Sequence, residues 1–280
     1  MDEITAEYEV QELVEFAPLK TRLRVGVGAK TDMGRVRENN EDKYEFFIPQ
    51  ADSELAGRGM IFIVCDGMGG HEAGQIASEL ATKTFIDVYR NHPGQEAEVA
   101  CRSAIVAANR YVSDVSRAIP SRRGMGTTLS ALLLVQDRAI VGQVGDSRVY
   151  RLRDGELTQI TTDHTWVEDM VRLGTPREEA EAHQNRHMIT RAIGADGDAN
   201  PDIFTLDLRL DDQFMICSDG VTNHVSDPQI QRILAESGPS EAAWRLVDSA
   251  LTGGGSDNAT VIVVRVEGMD SVEAEPFHVN

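Results

Sequence analysis

Residues Met60 to Cys65 read Met-Ile-Phe-Ile-Val-Cys, an unbroken apolar run that offers water no polar face. A run this short, rich in β-branched and aromatic residues, is a strand. Apolar at both parities, it is central in its sheet and needs cover on both sides.

The segments around it supply that cover. Arg24 to Lys30 and Tyr44 to Ile48 read as strands, and two helices follow. Ala77, Leu80, Ala81, Thr84, Phe85 and Val88 keep helical spacing, as do Ile105, Ala108, Val112, Val115 and Ile119. Asn91-His92-Pro93-Gly94 is a stop signal between them. The period then changes. Thr127 to Val135, Arg138 to Val144, Arg148 to Arg153 and Leu157 to Thr161 predict an antiparallel meander, with Asp154-Gly155 as its clearest hairpin turn. Residues 163–194 are a polar, partly helical excursion expected to form a flap. Ile203 to Leu208 and Gln213 to Cys217 resume the strands. A second helix pair spans Pro228 to Ala235 and Glu241 to Leu251, and Ala259 to Val266 is the last strand. The expected layout is a leader over 1–22, one domain over 23–266 and a tail over 267–280. Meandering strands with sequential helix pairs predict an α+β fold and disfavour a doubly wound sheet.

A net charge of -19 makes nucleic acid a poor partner. Cys65, Cys101 and Cys217 are odd in number and include no CxxC pair, which suits a reducing compartment. The opening Met1-Asp2-Glu3 lacks a secretory signal, and no apolar run is long enough to cross a bilayer. The expectation is a cytoplasmic monomer without a membrane partner.

The acids fall where strands end. Asp66 follows the central run, Asp146 follows Ile140 to Gly145, and Asp219 follows Phe214 to Cys217 and Ser218. Asp257 and Asn258 precede the last strand, and Glu41-Asp42 precedes the strand from Tyr44. A single aspartate at a strand end is usually a turn residue or helix cap. Several at the ends of central strands raise one another's pKa if they meet at one rim, unless a cation neutralises them. Oxygen ligands without a His or Cys cluster point to a hard ion, Mg²⁺ or Mn²⁺. The glycines of Asp66-Gly67-Met68-Gly69-Gly70-His71 would let a backbone carbonyl approach such an ion. A two-ion site clamps the oxygens of a displacement at phosphorus. Arg37, four residues before Glu41, is then the candidate phosphate ligand.

Other motifs fail on inspection. Gly26 to Thr31 lacks the glycines of a Walker A loop, His71-Glu72 has Gln75 where a zinc protease needs histidine, and no cysteine opens a Cys-x5-Arg loop.

The ordered set of motifs resembles the PPM family, the type 2C metal-dependent Ser/Thr protein phosphatases, in bacterial form. Thr31 to Asp42, Val64 to His71, Gly126-Thr127-Thr128, Val144 to Tyr150, Ser218-Asp219-Gly220 and Gly255 to Thr260 carry the resemblance, which covers roughly residues 24–266. It implies an αββα sandwich of two antiparallel sheets flanked by helix pairs, with the flap beside the site. It also implies that Asp66 bridges two Mn²⁺ or Mg²⁺ ions, with the Gly67 carbonyl on the first and Asp219 and Asp257 on the second. Glu41 and Asp42 would act through metal-bound waters, Arg37 would hold phosphate, and Asp146 with Asp219 would match a third, weaker ion position. The implied reaction is attack of a metal-bridged hydroxide on phosphoserine or phosphothreonine in substrates of a Ser/Thr kinase. Met68 stands where many eukaryotic members carry a histidine general acid, which leaves the acid unassigned, with metal-bound water as a candidate ahead of His71 and His164. Two alternatives keep the same motifs: a phosphatase of small phosphate esters, and a phosphoprotein-binding module without turnover.

Overall fold

The computed structural model describes residues 18–69, 72–195 and 197–272. Two antiparallel sheets form the centre. One has the order β1 (Thr21–Asp32), β11 (Ala259–Ser271), β10 (Gln213–Cys217), β7 (Arg148–Arg153), β8 (Glu156–Gln159). The other runs β2 (Asp42–Phe47), β3 (Met60–Met68), β5 (Leu129–Val135), β6 (Arg138–Val144), β9 (Asp202–Asp207), with the short β4 (Gly126–Thr127) paired to the end of β3. Helices α2 (Glu72–Arg90) and α3 (Ala97–Ala118) pack against the second sheet, and α7 (Asp227–Glu236) and α8 (Pro239–Thr252) against the first. This is the expected αββα sandwich.

Strand parity explains the layers. On β3, Ile61, Ile63 and Cys65 pack with Ala77, Phe85, Ala104 and Ile105 of the helix pair. Met60, Phe62 and Val64 point the other way, into a core shared with Phe214, Ile216, Ile262 and Val264 of the facing sheet. β11 divides likewise, with Val261 and Val263 under α7 and α8. Each central strand is apolar throughout because it serves two cores, one per face.

Three expectations shift. The four strands read as one meander are shared between the sheets: β5 and β6 pair in one, β7 and β8 in the other. The chain changes sheet at Gly145-Asp146-Ser147. The first strand begins at Thr21, and the last runs on to Ser271 because Thr21↔Ser271 to Arg24↔Gly268 pair across the edge. Residues 21–22 of the expected leader and 267–271 of the expected tail are therefore strand; 1–17 and 273–280 lie outside the described residues. Asp154 (φ 52°) and Gly155 (φ 81°) form the expected hairpin turn, both left-handed. Within 163–194 the chain forms α4 (Trp166–Arg172) and α5 (Arg177–Glu181), and is tied back by the bridges Thr165↔Ile189 and Thr127↔Ile193. Two short helices, α1 (Asp52–Gly57) and α6 (Asp219–Thr222), have no counterpart in the sequence reading.

Phe62 is fully buried between the sheets. Phe62→Ala is expected to lower unfolding stability by about 3–5 kcal/mol, read as a shift in urea midpoint at unchanged slope.

Candidate metal centre

Asp66 and Asp42 face one another across the β2–β3 pair. Asp219 opens α6 directly after β10, Asp257 precedes β11, and Asp146 sits in the crossing between β6 and β7. All five lie at one end of the sandwich, close enough for mutual repulsion to act on Asp66 from each of the other four. Burial, the larger cause, and these neighbours together hold the Asp66 carboxyl well above the ordinary carboxylate range. Burial also raises Asp42 to about 7, against hydrogen bonds from Thr260 and Ser218 that favour its charged form. Asp146 is pushed up to about 7 by burial and then by Asp219 and Asp163, and Asp219 is raised by burial and Asp257.

A web of backbone and side-chain bonds holds the acids in place. The Thr128 hydroxyl accepts the Asp66 N–H at 2.9 Å, and the Asp66 carbonyl accepts the Thr128 N–H at 2.8 Å. Ser218 Oγ donates to Asp42 Oδ2 at 2.7 Å and accepts the Thr260 N–H at 3.1 Å. Asn258 Oδ1 accepts the Glu41 N–H at 2.8 Å, while its amide donates to the carbonyls of Met33 and Asn39. This asparagine thereby ties the loop carrying Arg37, Glu41 and Asp42 to the strand after Asp257. At Gly67 a side chain is impossible: a Cβ would lie 2.2 Å from the Gly74 carbonyl oxygen and 2.7 Å from that of Glu41.

Arg37 stands at the mouth, its side chain 52% exposed, with Nη2 donating to Asp257 Oδ2 at 2.6 Å. That hydrogen bond is the main cause raising its pKa, so the guanidinium is a fixed positive charge beside the carboxylates. A cavity of about 220 Å³ opens between Asp146 and Asp219 on one side and Thr165, Glu168, Arg177 and Arg186 of the flap on the other. Sequence reasoning missed Asp163, which receives Arg148 Nη2 at 2.7 Å and adds to the repulsion on Asp146.

His164 is the second residue whose role was hidden. Its ring is buried, Nδ1 accepts the Gly145 N–H at 3.1 Å, and Nε2 faces Asp202 Oδ2 at 3.1 Å. Its own N–H donates to the Gly145 carbonyl at 2.9 Å. Both ring nitrogens are engaged and burial lowers its pKa, so the His164 ring serves as a brace for the turn before Asp146. His71 lies outside the described residues.

The test of fit for a cation is the set of buried oxygens that nothing satisfies. Asp42 Oδ1, Asp146 Oδ1 and Asp219 Oδ1 are buried without a hydrogen-bond partner, a costly state that a divalent ion relieves. As the side chains stand, no group of three or more His, Cys, Asp or Glu among the described residues is drawn into a ready chelate. The Asp66 and Asp219 side chains are nonetheless close enough to act on one another's ionisation. An oxygen-only donor set on converging backbone positions fits Mg²⁺ or Mn²⁺ after carboxylate rotation.

An acidic centre thus stands at one end of a two-sheet scaffold, and the chain belongs to the protein phosphatase 2C family, whose model matches residues 35–248. It is 39% identical over 251 residues to the serine/threonine protein phosphatase PstP of Mycobacterium tuberculosis, covering 89% of this chain and 46% of that protein. The chain thus spans about half the length of that relative. It is 35% identical to the serine/threonine phosphatase stp of Listeria monocytogenes, covering 84% of this chain and 93% of the relative. The crystal structure of the catalytic domain of PstP in complex with two manganese ions superposes with a TM-score of 0.74 at 36% identity, covering 88% of this chain and 100% of that one. Among the described residues no helix is long and apolar enough to cross a membrane.

A carboxyl whose folded pKa exceeds its unfolded value binds extra protons in the folded state. Its contribution is therefore fully present below about 4 and is lost as the pH rises through about 7. Metal-stripped protein is expected to melt at a lower temperature at about pH 7.5 than at about pH 5. Mn²⁺ should raise the melting temperature more at the higher pH, as a scanning calorimeter would show.

Proposed function

We propose that this chain hydrolyses phosphoserine and phosphothreonine esters in proteins with two divalent ions, Mn²⁺ or Mg²⁺, held by the acidic centre. The observation that carries the reading is the convergence of unsatisfied buried carboxylate oxygens of Asp42, Asp146 and Asp219 beside Asp66, with Arg37 at the mouth. Bound ions of this kind lower the pKa of water and offset charge on a phosphoryl group.

The chain's own residues do the rest. Asp66, on which the other four acids all act, would be shared by the two ions, with the Gly67 carbonyl as a further ligand. Asp219 and Asp257 would hold the second ion, and Glu41 and Asp42 the outer side of the pair. Asp146, with Asp219, would supply a third and weaker position. Arg37 exchanges part of its contact with Asp257 for phosphate oxygens, which its planar fork accommodates in pairs. Its anchoring by Asp257 fixes its direction before substrate arrives, so little orientation is lost on binding. The names of the relatives support proteins as substrates, and a Ser/Thr kinase would supply them.

The test is hydrolysis of a phosphothreonine peptide with Mn²⁺, repeated in EDTA, alongside a phosphotyrosine peptide and a sugar phosphate. Turnover should need the metal and favour the phosphothreonine peptide. Asp66→Asn should lower kcat by about 10³ or more with the fold intact, whereas Arg37→Ala should chiefly raise KM, by about ten- to a hundredfold. Metal-independent turnover, or an active Asp66→Asn variant, contradicts the reading.

A further inference from the structure

Between Asp114 and Asp137 the chain contains no acidic residue but carries Arg117, Arg122 and Arg123. Over the whole chain acids outnumber bases, 46 to 27, so this stretch is an island of positive charge in an acidic protein. Its arginines lie in the last turn of α3 and in and just after a single 3-10 turn at Pro120–Arg122.

The island borders a cavity of about 380 Å³ lined by Arg117 and Arg123 together with Ser113, Ser116, Met68 and the glycines 124, 126 and 194. No carboxylate lines it among the described residues. Its lining residue Met68 stands two positions along β3 from Asp66. Met68 pairs with Gly126 and Gly67 with Thr127, and the Thr127 hydroxyl donates to the Asp66 carbonyl at 2.8 Å. At about 3.3 Å per strand residue, the groove opens within roughly 7 Å of Asp66 along the strand.

The turn that presents the arginines is fixed. Ser116 Oγ donates to the Arg122 carbonyl at 3.1 Å and accepts the Gly124 N–H at 3.0 Å. Gly124 has φ +80°, and nothing lies within 4 Å of where its Cβ would be, so the groove is open on that side. One arginine at a helix C-terminus is accounted for by the helix dipole. Three in one short stretch, two of them lining a cavity without carboxylates, are not; Arg122 and Arg123 are in no ion pair among the described residues, whereas most arginines outside the stretch meet a carboxylate.

We propose that this groove is a second anion subsite, in which Arg123 and Arg117 receive a carboxylate or a second phosphate of the same substrate chain while its phosphoserine or phosphothreonine occupies the metal centre. An extended chain advances about 3.3–3.6 Å per residue, so the recognised group lies about two to four residues from the phosphorylated one. The inference rests on the phosphatase reading and adds a substrate preference to it.

The experiment compares the Mn²⁺-loaded chain on three phosphothreonine peptides, with neutral flanks, with aspartates two to four residues away, and with a second phosphothreonine at that spacing; p-nitrophenyl phosphate serves as a control. Wild type should favour the second or third peptide by about five- to twentyfold in kcat/KM, through KM. R117Q/R123Q should lose that preference yet hydrolyse the neutral peptide and p-nitrophenyl phosphate as before. R117K/R123K should recover most of it, and R123E should reverse it. Preference for the third peptide alone assigns the subsite to phosphate; preference for both assigns it to anions in general. Equal turnover of all three peptides by wild type, or an equal loss on every substrate in R117Q/R123Q, overturns the subsite and leaves the phosphatase standing. No turnover of any peptide overturns both.

Discussion

Mutual repulsion among Asp42, Asp66, Asp146, Asp219 and Asp257 is the constraint around which this structure is arranged. Burying like charges together costs stability, and only a scaffold with surplus cohesion can hold them there. The surplus comes from three apolar layers: one between the sheets and one under each helix pair. The acids sit where those layers end, so their backbones are as rigid as the strands that carry them. Their charge is left for cations to offset.

The bracing residues show how finely the positions are held. Gly145 has φ +106°, and a Cβ there would lie 2.6 Å from the Thr128 side chain, so only glycine lets the chain cross between sheets at this point. Its carbonyl receives the His164 N–H and the Gln143 amide, and its N–H goes to the His164 ring. The turn before Asp146 is thereby tied both to the β-sheet and to the start of the flap. Asn258 performs the same service on the other side, joining the loops of Glu41 and Asp257.

Much of this was legible in the sequence, for reasons that also set the limit. Met60 to Cys65 announced a strand covered on both faces because parity reports burial directly. Parity does not report partners, and so Thr127 to Thr161 read as one meander although the chain changes sheet within it. The charged pairing of Arg24 with Asp270 hides the end of β11 from any hydrophobic pattern. Aspartates at strand ends and their flanking glycines stood out as a set. Asp163 and His164 did not, because their work is done through Arg148, Gly145 and Asp202, contacts made only after folding.

For a chain of net charge -19, the proposed action on phosphorylated proteins meets a further difficulty, since such substrates would share its sign. Screening limits the difficulty to short range: at physiological salt the Debye length is about 8 Å, so an approaching chain responds mainly to charges near its landing point. Around the metal centre those charges are not representative of the whole surface. Divalent ions would offset the carboxylates, Arg37 stands at the mouth, and the acid-free stretch with Arg117, Arg122 and Arg123 borders the strand that bears Asp66. The remaining acidic surface then disfavours anions that land elsewhere. Selectivity for phosphorylated chains would arise from contrast between a local positive field and a negative background.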